Sequence, residues 1–135
     1  MATSVRGDRM RRLPLHYAAM EGPIEEVRRL AQDPAAVSAK DADGFTPLHF
    51  AALQTRGDVI AALVAAGAEV DATDKWGNTP LWRAVFESRG RGEAVLALLA
   101  AGADRDRQNF HGVSPLALAH TIANYDVRQF FELGH

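Results

Sequence analysis

The stretch GFTPLHFAA, from Gly44 to Ala52, nearly recurs as GNTPLWRAV from Gly77 to Val85, 33 residues later. A threonine hydroxyl can accept a hydrogen bond from an unpaired backbone N–H at the start of a helix. Proline fits the next position, because its fixed φ suits the first turn and its missing N–H would be unpaired there anyway. Thr46-Pro47 and Thr79-Pro80 therefore predict two helix starts with the same chemistry.

The same signal occurs four times along the chain. Its prolines are Pro14, Pro47, Pro80 and Pro115, at intervals of 33, 33 and 35 residues. Leucine follows each proline, and alanine stands four residues after it. The residue before the proline is Leu13, Thr46, Thr79 or Ser114, so only the first copy lacks a capping hydroxyl. Self-similarity at a fixed period of about 33 residues is typical of a stacked repeat array.

A second apolar segment and a turn complete each period. Second helices are expected at Ile24–Ala31, Val59–Ala66, Ala94–Ala101 and Val127–Leu133. An acid near the start of each one complements the partial positive charge of a helix N-terminus. Gly67 and Gly102 stand where a left-handed residue commonly ends a helix. Type I turn chemistry, with Asp or Asn first and Gly fourth, follows at 41–44, 74–77 and 109–112.

The whole pattern resembles the ankyrin repeat family over residues 8–133. The second copy carries it most fully, as Asp-x-x-Gly-x-Thr-Pro-Leu-His-x-Ala-Ala over 41–52. The resemblance implies an all-α-dominated repeat solenoid of four helix-turn-helix repeats joined by short β-hairpin turns. We expect a single domain, with repeats at about 8–40, 41–73, 74–108 and 109–135.

The copies depart from the family pattern at a few positions. Trp82 and Ala117 replace the histidine that the first two copies carry. Asp33-Pro34 replaces the glycine that would end the second helix of the first copy. Arg105 replaces an apolar residue, so we expect a looser connection between the third and fourth copies. Two extra residues in the third copy predict a longer, mobile loop at 88–93.

The histidines are the first candidates for chemistry. His16 and His49 hold the same position in successive copies. In the family this imidazole bonds the backbone near the neighbouring hairpin, so the resemblance implies a structural role for both. His111, in a turn, is a candidate surface contact, and His120 is either a tolerated helix residue or a contact. His135 has no assigned role. No cluster has the spacing of metal ligands, and no nucleophile motif is present. We expect no metal, no cofactor and no enzymatic activity.

Composition and charge narrow the classes further. The 135 residues are 47% hydrophobic and 24% charged, which is ordinary for a globular chain. A formal net charge of −2 gives no reason to expect nucleic acid. No segment approaches the roughly 18 apolar residues of a membrane span, and residues 1–12 lack the apolar core of a signal peptide. Without cysteine there is no disulfide framework. We expect a cytoplasmic protein with no membrane partner.

Two Arg-Gly-Asp tripeptides, at 6–8 and 56–58, match the integrin-binding sequence. Since no secretion signal is expected, coincidence is the better interpretation of both. The second tripeptide falls where a helix is expected to begin.

The candidate binding residues are aromatics that packing within a repeat does not require. Phe45, Trp76 and Phe110 fall in or beside the turns, and Phe86 falls near the end of the third copy's first helix. The resemblance implies that turn tips and first helices line a concave groove that grips partner proteins. Tryptophan there would supply the apolar area typical of interface hot spots. The alternative is that some rings fold back onto the neighbouring repeat.

Polar residues on the same expected surface complete the candidate site. Those near the turns and the third first helix are Lys75, Asn78, Arg83 and Glu87, with His111 in the next turn. Arg89 and Arg91, in the longer loop, would meet an acidic partner or remain solvated.

These features predict a non-enzymatic protein-binding module that acts as an adaptor or an inhibitor of another protein. A bacterial immunity-type inhibitor of one cognate enzyme or toxin is a more specific version. An enzyme or small-ligand binder that uses the groove is the competing class, but the sequence offers no convergent set of acid, base or metal ligands for it.

Overall fold

The computed structural model describes residues 9–122 and 126–133, and every regular element in these two segments is a helix. The helices are α1 (Pro14–Glu21), α2 (Ile24–Leu30), α3 (Pro34–Val37), α4 (Pro47–Leu53), α5 (Gly57–Ala65), α6 (Pro80–Glu87), α7 (Glu93–Ala100), α8 (Pro115–Thr121) and α9 (Arg128–Leu133). Apart from the short α3, successive helices pack in pairs in chain order. The first tripeptide, at 6–8, and His135 lie outside the described residues.

The pairs stack into two layers. The first helices contact one another in the order α1, α4, α6 and α8, and the second helices in the order α2, α5, α7 and α9. Each first helix also packs on the second helix of its own pair. Because each pair contacts its neighbours along the chain, the arrangement is the repeat solenoid predicted from the sequence.

The core lies between the two layers. Leu48 of α4 and Leu81 of α6 are completely buried, and so are Val59 and Leu63 of α5. The leucines occupy the position directly after the repeated proline, so the repeated motif supplies the layer interior. Within the described residues, no helix has the length and apolarity needed to cross a membrane.

The caps follow the predicted chemistry. The hydroxyl of Thr46 accepts a hydrogen bond from His49 N at 3.3 Å, and that of Thr79 accepts one from Trp82 N at 3.2 Å. Ser114 caps α8 in the same way. Leu13 begins α1 with no side-chain acceptor. Gly67, with φ +100°, takes the left-handed conformation predicted for the end of a second helix.

The connections between pairs are turns without strands in the described segments, so the predicted β-hairpins form only as turns. In the turn at 41–44, one carboxylate oxygen of Asp41 accepts from the backbone N–H groups of Asp43 and Phe45. Asp74 and Asn109 do the same in the turns at 74–77 and 109–112. Since the side chain takes these N–H groups, they are not available for a ladder between the two arms.

Neighbouring turns are joined edge to edge. Lys75 N donates to Asp43 O at 3.0 Å, and Phe110 N donates to Trp76 O at 3.1 Å. Gly44 and Gly77 are needed at their positions for two reasons. Both have φ +80°, and a side chain on either would collide with the next turn. The turns therefore form a continuous edge that presents the residues between them.

Three sequence departures have specific structural outcomes. Asp33 does not end α2 with a left-handed residue; its carboxylate instead caps α3 by accepting from Ala35 N at 3.0 Å. At Arg105, where a looser connection is expected, the backbone oxygen accepts from Leu116 N at 3.1 Å and the guanidinium lies over the Phe131 ring. The longer loop is present between α6 and α7, and Ser88 at its start is buried.

Arg56 belongs to a structural contact. Its guanidinium donates to the backbone oxygens of Ala18, Ala19 and Gly22, at the end of α1. Ala18 O also accepts from Gly22 N at 2.8 Å, and the arginine adds donors at a helix end, where backbone carbonyls commonly lack intrahelical partners. The Arg-Gly-Asp tripeptide at 56–58 is therefore part of the packing between two helix pairs.

Candidate functional site

An aromatic cluster with a cation at its centre lies on the turn side of the second and third helix pairs. The Phe45 and Trp76 ring centroids are 5.9 Å apart. The Arg83 guanidinium lies 5.2 Å from the Phe45 centroid and 5.3 Å from that of Trp76. Such distances are in the range of cation–π attraction. Trp76 is therefore supported by the preceding turn and by α6, and does not stand alone at a tip.

Arg83 is held in this cluster by a buried acid. Its Nε atom donates to Asp74 Oδ2 at 2.9 Å, and its Nη2 atom lies 2.9 Å from the same oxygen in the ion pair. The other oxygen, Asp74 Oδ1, organises the turn at 74–77. One carboxylate thus fixes both the turn that carries Trp76 and the cation beneath its ring.

Lys75 lies at the rim of the same cluster. Its Nζ atom is 4.7 Å from the Trp76 ring centroid and 2.7 Å from Asp43 Oδ1 in the preceding turn. Lys75 is exposed, as the sequence predicted. The pair with Asp43 adds little stability in solvent, but it places an ammonium group beside an exposed indole.

A cleft of about 430 Å³ opens beside the cluster. Its lining comes from α6 and from all three turns. The lining residues are Phe45, Trp76, Asn78, Trp82, Arg83, Asn109, His111 and Val113. The cleft therefore gathers the predicted residues Phe45, Trp76, Asn78, Arg83 and His111 in one place.

Asn78 lies at the buried side of the cleft lining. It was expected on the surface, but its side chain is buried. Asn78 Oδ1 accepts from Asn109 Nδ2 at 2.8 Å, while Asn109 Oδ1 holds the turn at 109–112. A buried amide needs such partners because an unpaired one would be costly. Asn78 therefore couples two turns and does not act as an exposed contact.

His16 and His49 have the structural role implied by the family pattern. His49 Nδ1 accepts from Thr46 N at 3.1 Å, which leaves Nε2–H to donate to Asn78 O at 2.9 Å. Burial lowers the pKa of His49 from 6.5 to about 4. His16 makes the equivalent bonds to Ala39 O and Phe45 O, and burial lowers its pKa as well. Both imidazoles therefore link neighbouring helix pairs in the neutral state.

Trp82 occupies the same position one pair later and behaves differently. Its ring stacks on Phe86 with centroids 5.5 Å apart and forms part of the cleft wall. Its Nε1 atom is buried, and no residue of the described segments accepts a hydrogen bond from it. The sequence showed Trp82 only as a departure from the histidine pattern. An aromatic replacing a polar repeat residue was the signal that could have assigned it to the site.

The remaining predicted residues lie outside the cleft wall. Phe86 is 56% exposed on α6, and Phe110 is 75% exposed in its turn, with one ring edge against Gly77. Glu87 is half-buried at the end of α6. Arg89 and Arg91 are exposed in the longer loop. The cleft and its aromatic rim thus include most, but not all, of the predicted surface.

The geometry places an aromatic cleft with a cation in its wall on one side of a helical repeat array. In the described segments, no group of three or more His, Cys, Asp or Glu side chains could hold a metal ion. The apolar, aromatic cleft instead has the composition of a recognition surface.

Comparison with protein families gives this class a specific family. The family model described as ankyrin repeats in three copies matches residues 3–74, and the single ankyrin repeat model matches residues 76–110. The chain belongs to the ankyrin repeat family, whose repeats are generally protein–protein interaction modules and typically not enzymes. The α8/α9 pair lies beyond the matched residues. A search of curated protein sequences found no match.

Proposed function

We propose that this chain binds another protein through the cleft and the exposed aromatic rings around it. One observation carries the proposal: three large aromatic side chains on this surface remain exposed although the repeat array is folded. They are Trp76 at 40%, Phe86 at 56% and Phe110 at 75%. Exposed tryptophan and phenylalanine beside an apolar cleft are typical of surfaces that bury area with a partner.

The support beneath these rings favours binding with little rearrangement. Arg83 and Phe45 hold Trp76 in place, while Gly77 supports one edge of Phe110. A side chain that is ordered before association loses less conformational entropy on binding. The surface is therefore suited to a stable contact, and the chain would act as an adaptor or an inhibitor of its partner. We place this function in the cytoplasm, which the cysteine-free composition suits.

The first experiment is site-specific photocrosslinking in the native lysate. A photoreactive phenylalanine analogue at Phe110 or Phe86 should capture a protein, which mass spectrometry then identifies. The same analogue at Ala61, an exposed residue of α5 on the other layer, is the matched control. Equal capture from Ala61 would argue against a binding surface at the turns.

The second experiment measures affinity for the identified partner by calorimetry. Phe110→Ala should weaken binding about 30-fold, the equivalent of roughly 2 kcal/mol for a hot-spot residue. Its thermal midpoint should change little, since most of the ring is exposed. Unaltered affinity in Phe110→Ala, Trp76→Ala and Phe86→Ala would move the binding surface elsewhere.

A further inference from the structure

Three ion pairs lie on the turn side, and in each one the cation is more exposed than the acid. The side chains of Arg12 and Asp41 are 23% and 0% exposed, and those of Arg83 and Asp74 are 17% and 0%. The corresponding values are 53% for Lys75 and 25% for Asp43. The formal charges cancel within each pair, and the positive member keeps the larger exposed fraction.

The turn geometry accounts for this orientation. Asp41 and Asp74 each use Oδ1 to accept two backbone N–H groups of their own turn. That role holds both carboxylates inside the turn, so each arginine must approach from outside, at Oδ2. The two carboxylates are already hydrogen-bonded to the backbone of their own turns, whereas part of each arginine side chain stays exposed.

Aromatic rings flank the same cations. The Arg12 guanidinium lies 5.0 Å from the Phe50 centroid. Arg83 lies within 5.6 Å of the Phe45, Trp76 and Trp82 centroids. We call Arg12, Phe45, Lys75, Trp76, Trp82 and Arg83 the aromatic–cation strip. It combines apolar area with outward positive charge along the edge formed by the first two turns.

The cleft beside the strip has donors to offer and few acceptors. Its described lining includes no Asp or Glu. The side-chain oxygens of Asn78 and Asn109 already accept hydrogen bonds. The exposed edge of Arg83, by contrast, adds N–H donors to the lining. A segment rich in oxygen acceptors complements such a surface better than one rich in N–H donors.

We propose that the partner inserts an acidic–apolar peptide segment here, with a large apolar side chain in the cleft and adjacent carboxylates at Arg83 and Lys75. This inference rests on the proposed function and adds the chemistry of the partner. Carboxylates would form charge-assisted hydrogen bonds with cations that the rings already orient. The apolar side chain would cover the exposed indole of Trp76, which a charged segment alone would leave in water.

The test is a display selection of random 12-residue peptides against the intact chain. Enriched sequences should pair Asp or Glu with a neighbouring Leu, Phe or Trp. A synthetic peptide of the enriched consensus should bind more weakly as salt is raised, because exposed charges contribute. Enriched peptides without acids, or no enrichment at all, would overturn the proposal.

Variants then locate the bound peptide. Arg83→Lys keeps a cation for Asp74 but removes the planar guanidinium, and should weaken binding about tenfold. The double variant Asp43→Asn and Lys75→Gln keeps the net charge and should weaken binding about fivefold, with a smaller salt dependence. Arg28→Gln on α2, an exposed residue of the other layer, should leave affinity unchanged. Circular dichroism of each variant checks that the chain is folded.

Two outcomes separate this inference from the proposed function. If photocrosslinking at Phe110 captures a protein but the selected peptides bind Arg83→Lys as tightly as the unaltered chain, only the acidic–apolar segment is wrong. If both experiments fail, the binding surface itself is wrong. A 12-nucleotide single-stranded DNA that displaces the peptide with similar affinity would also overturn the proposal, since it would show a preference for polyanions.

Discussion

The contact between α4 and α6 and the contact between α6 and α8 carry different residues at the repeated histidine position. In the first, His49 lies buried and donates from Nε2 to Asn78 O in the next turn. In the second contact, Trp82 occupies the same position. Its Nε1–H has no acceptor among the described residues, and its ring forms part of the cleft wall. The array therefore exchanges a polar link for aromatic surface where the candidate site lies.

The second contact has a different polar link of its own. Asn109 Nδ2 donates to Asn78 Oδ1, so a side-chain pair joins turns that the imidazole would otherwise join. In both contacts a buried hydrogen bond reaches the neighbouring turn, but different residues make it. The third helix pair therefore stays in the stack with tryptophan at the histidine position.

The largest expected effect tests whether the two contacts share the same apolar layer. Leu48→Ala and Leu81→Ala each remove a completely buried side chain and should lower the free energy of unfolding by about 2–5 kcal/mol. Urea titration measures both losses. Similar losses would confine the difference between the contacts to their polar groups, whereas an unchanged midpoint in both variants would contradict the repeat alignment.

A pH titration of stability tests the histidine link. The folded pKa of His49, about 4, lies below its ordinary value of 6.5, so the unfolded chain binds a proton between these values that the folded chain does not. The contribution of His49 is therefore complete above about pH 6.5. It should decline by on the order of 1 kcal/mol per unit as the pH falls toward 4.

Two variants isolate this pH dependence from that of the carboxylates. His49→Gln should flatten the slope between pH 6.5 and 4. Trp82→His should steepen it, because a third buried imidazole would link neighbouring turns. An unaltered slope in His49→Gln would show that this imidazole is not neutral in the folded chain.

The N-cap threonines of α4 and α6 give a smaller expected difference in stability between the two contacts. Thr79→Ala should cost about 1 kcal/mol, as the loss of an N-cap does. Thr46→Ala should cost more, about 2 kcal/mol, because its hydroxyl also lies 2.9 Å from His49 Nδ1 and supports the imidazole. Thermal unfolding of the two variants measures the difference. A larger loss for Thr79→Ala would mean that Thr46 and His49 act independently.

The smallest effect is expected at the first copy. Leu13→Thr would supply the hydroxyl that α1 lacks, and it should change the free energy of unfolding by at most a few tenths of a kcal/mol or stabilise the chain. Urea titration is again the measurement. A loss as large as that of Leu48→Ala would show that Leu13 is a packing residue and that the first copy is misaligned.

Local chemistry made most of the fold predictable. Thr46, Thr79 and Ser114 cap helices because capping depends on residues three positions apart. Gly67 ends a helix because only a few residues tolerate its φ. The repeat period then orders the pairs, since each one contacts its neighbours.

The candidate site was less predictable because it depends on contacts between repeats. The sequence placed Trp76 and Phe45 at turns but could not show that their rings meet over Arg83. It placed Asn78 on the surface because the residue is polar and lies beside a turn. The orientation of Asn78 toward Asn109 becomes visible only when the positions of the two turns in space are known.

The loop between α6 and α7 offers positions at which the sequence of this chain can be varied. Ser88 is buried at its start, and a side chain added at Gly92 would overlap the Phe130 ring. Between these fixed ends, Arg89 and Arg91 are exposed and Gly90 has φ +86°. A combinatorial library should therefore randomise position 91, retain Gly90, and restrict position 89, where φ is +50°, to residues that tolerate the left-handed conformation. Such a library could sample new specificities without disturbing the two anchored ends of the loop.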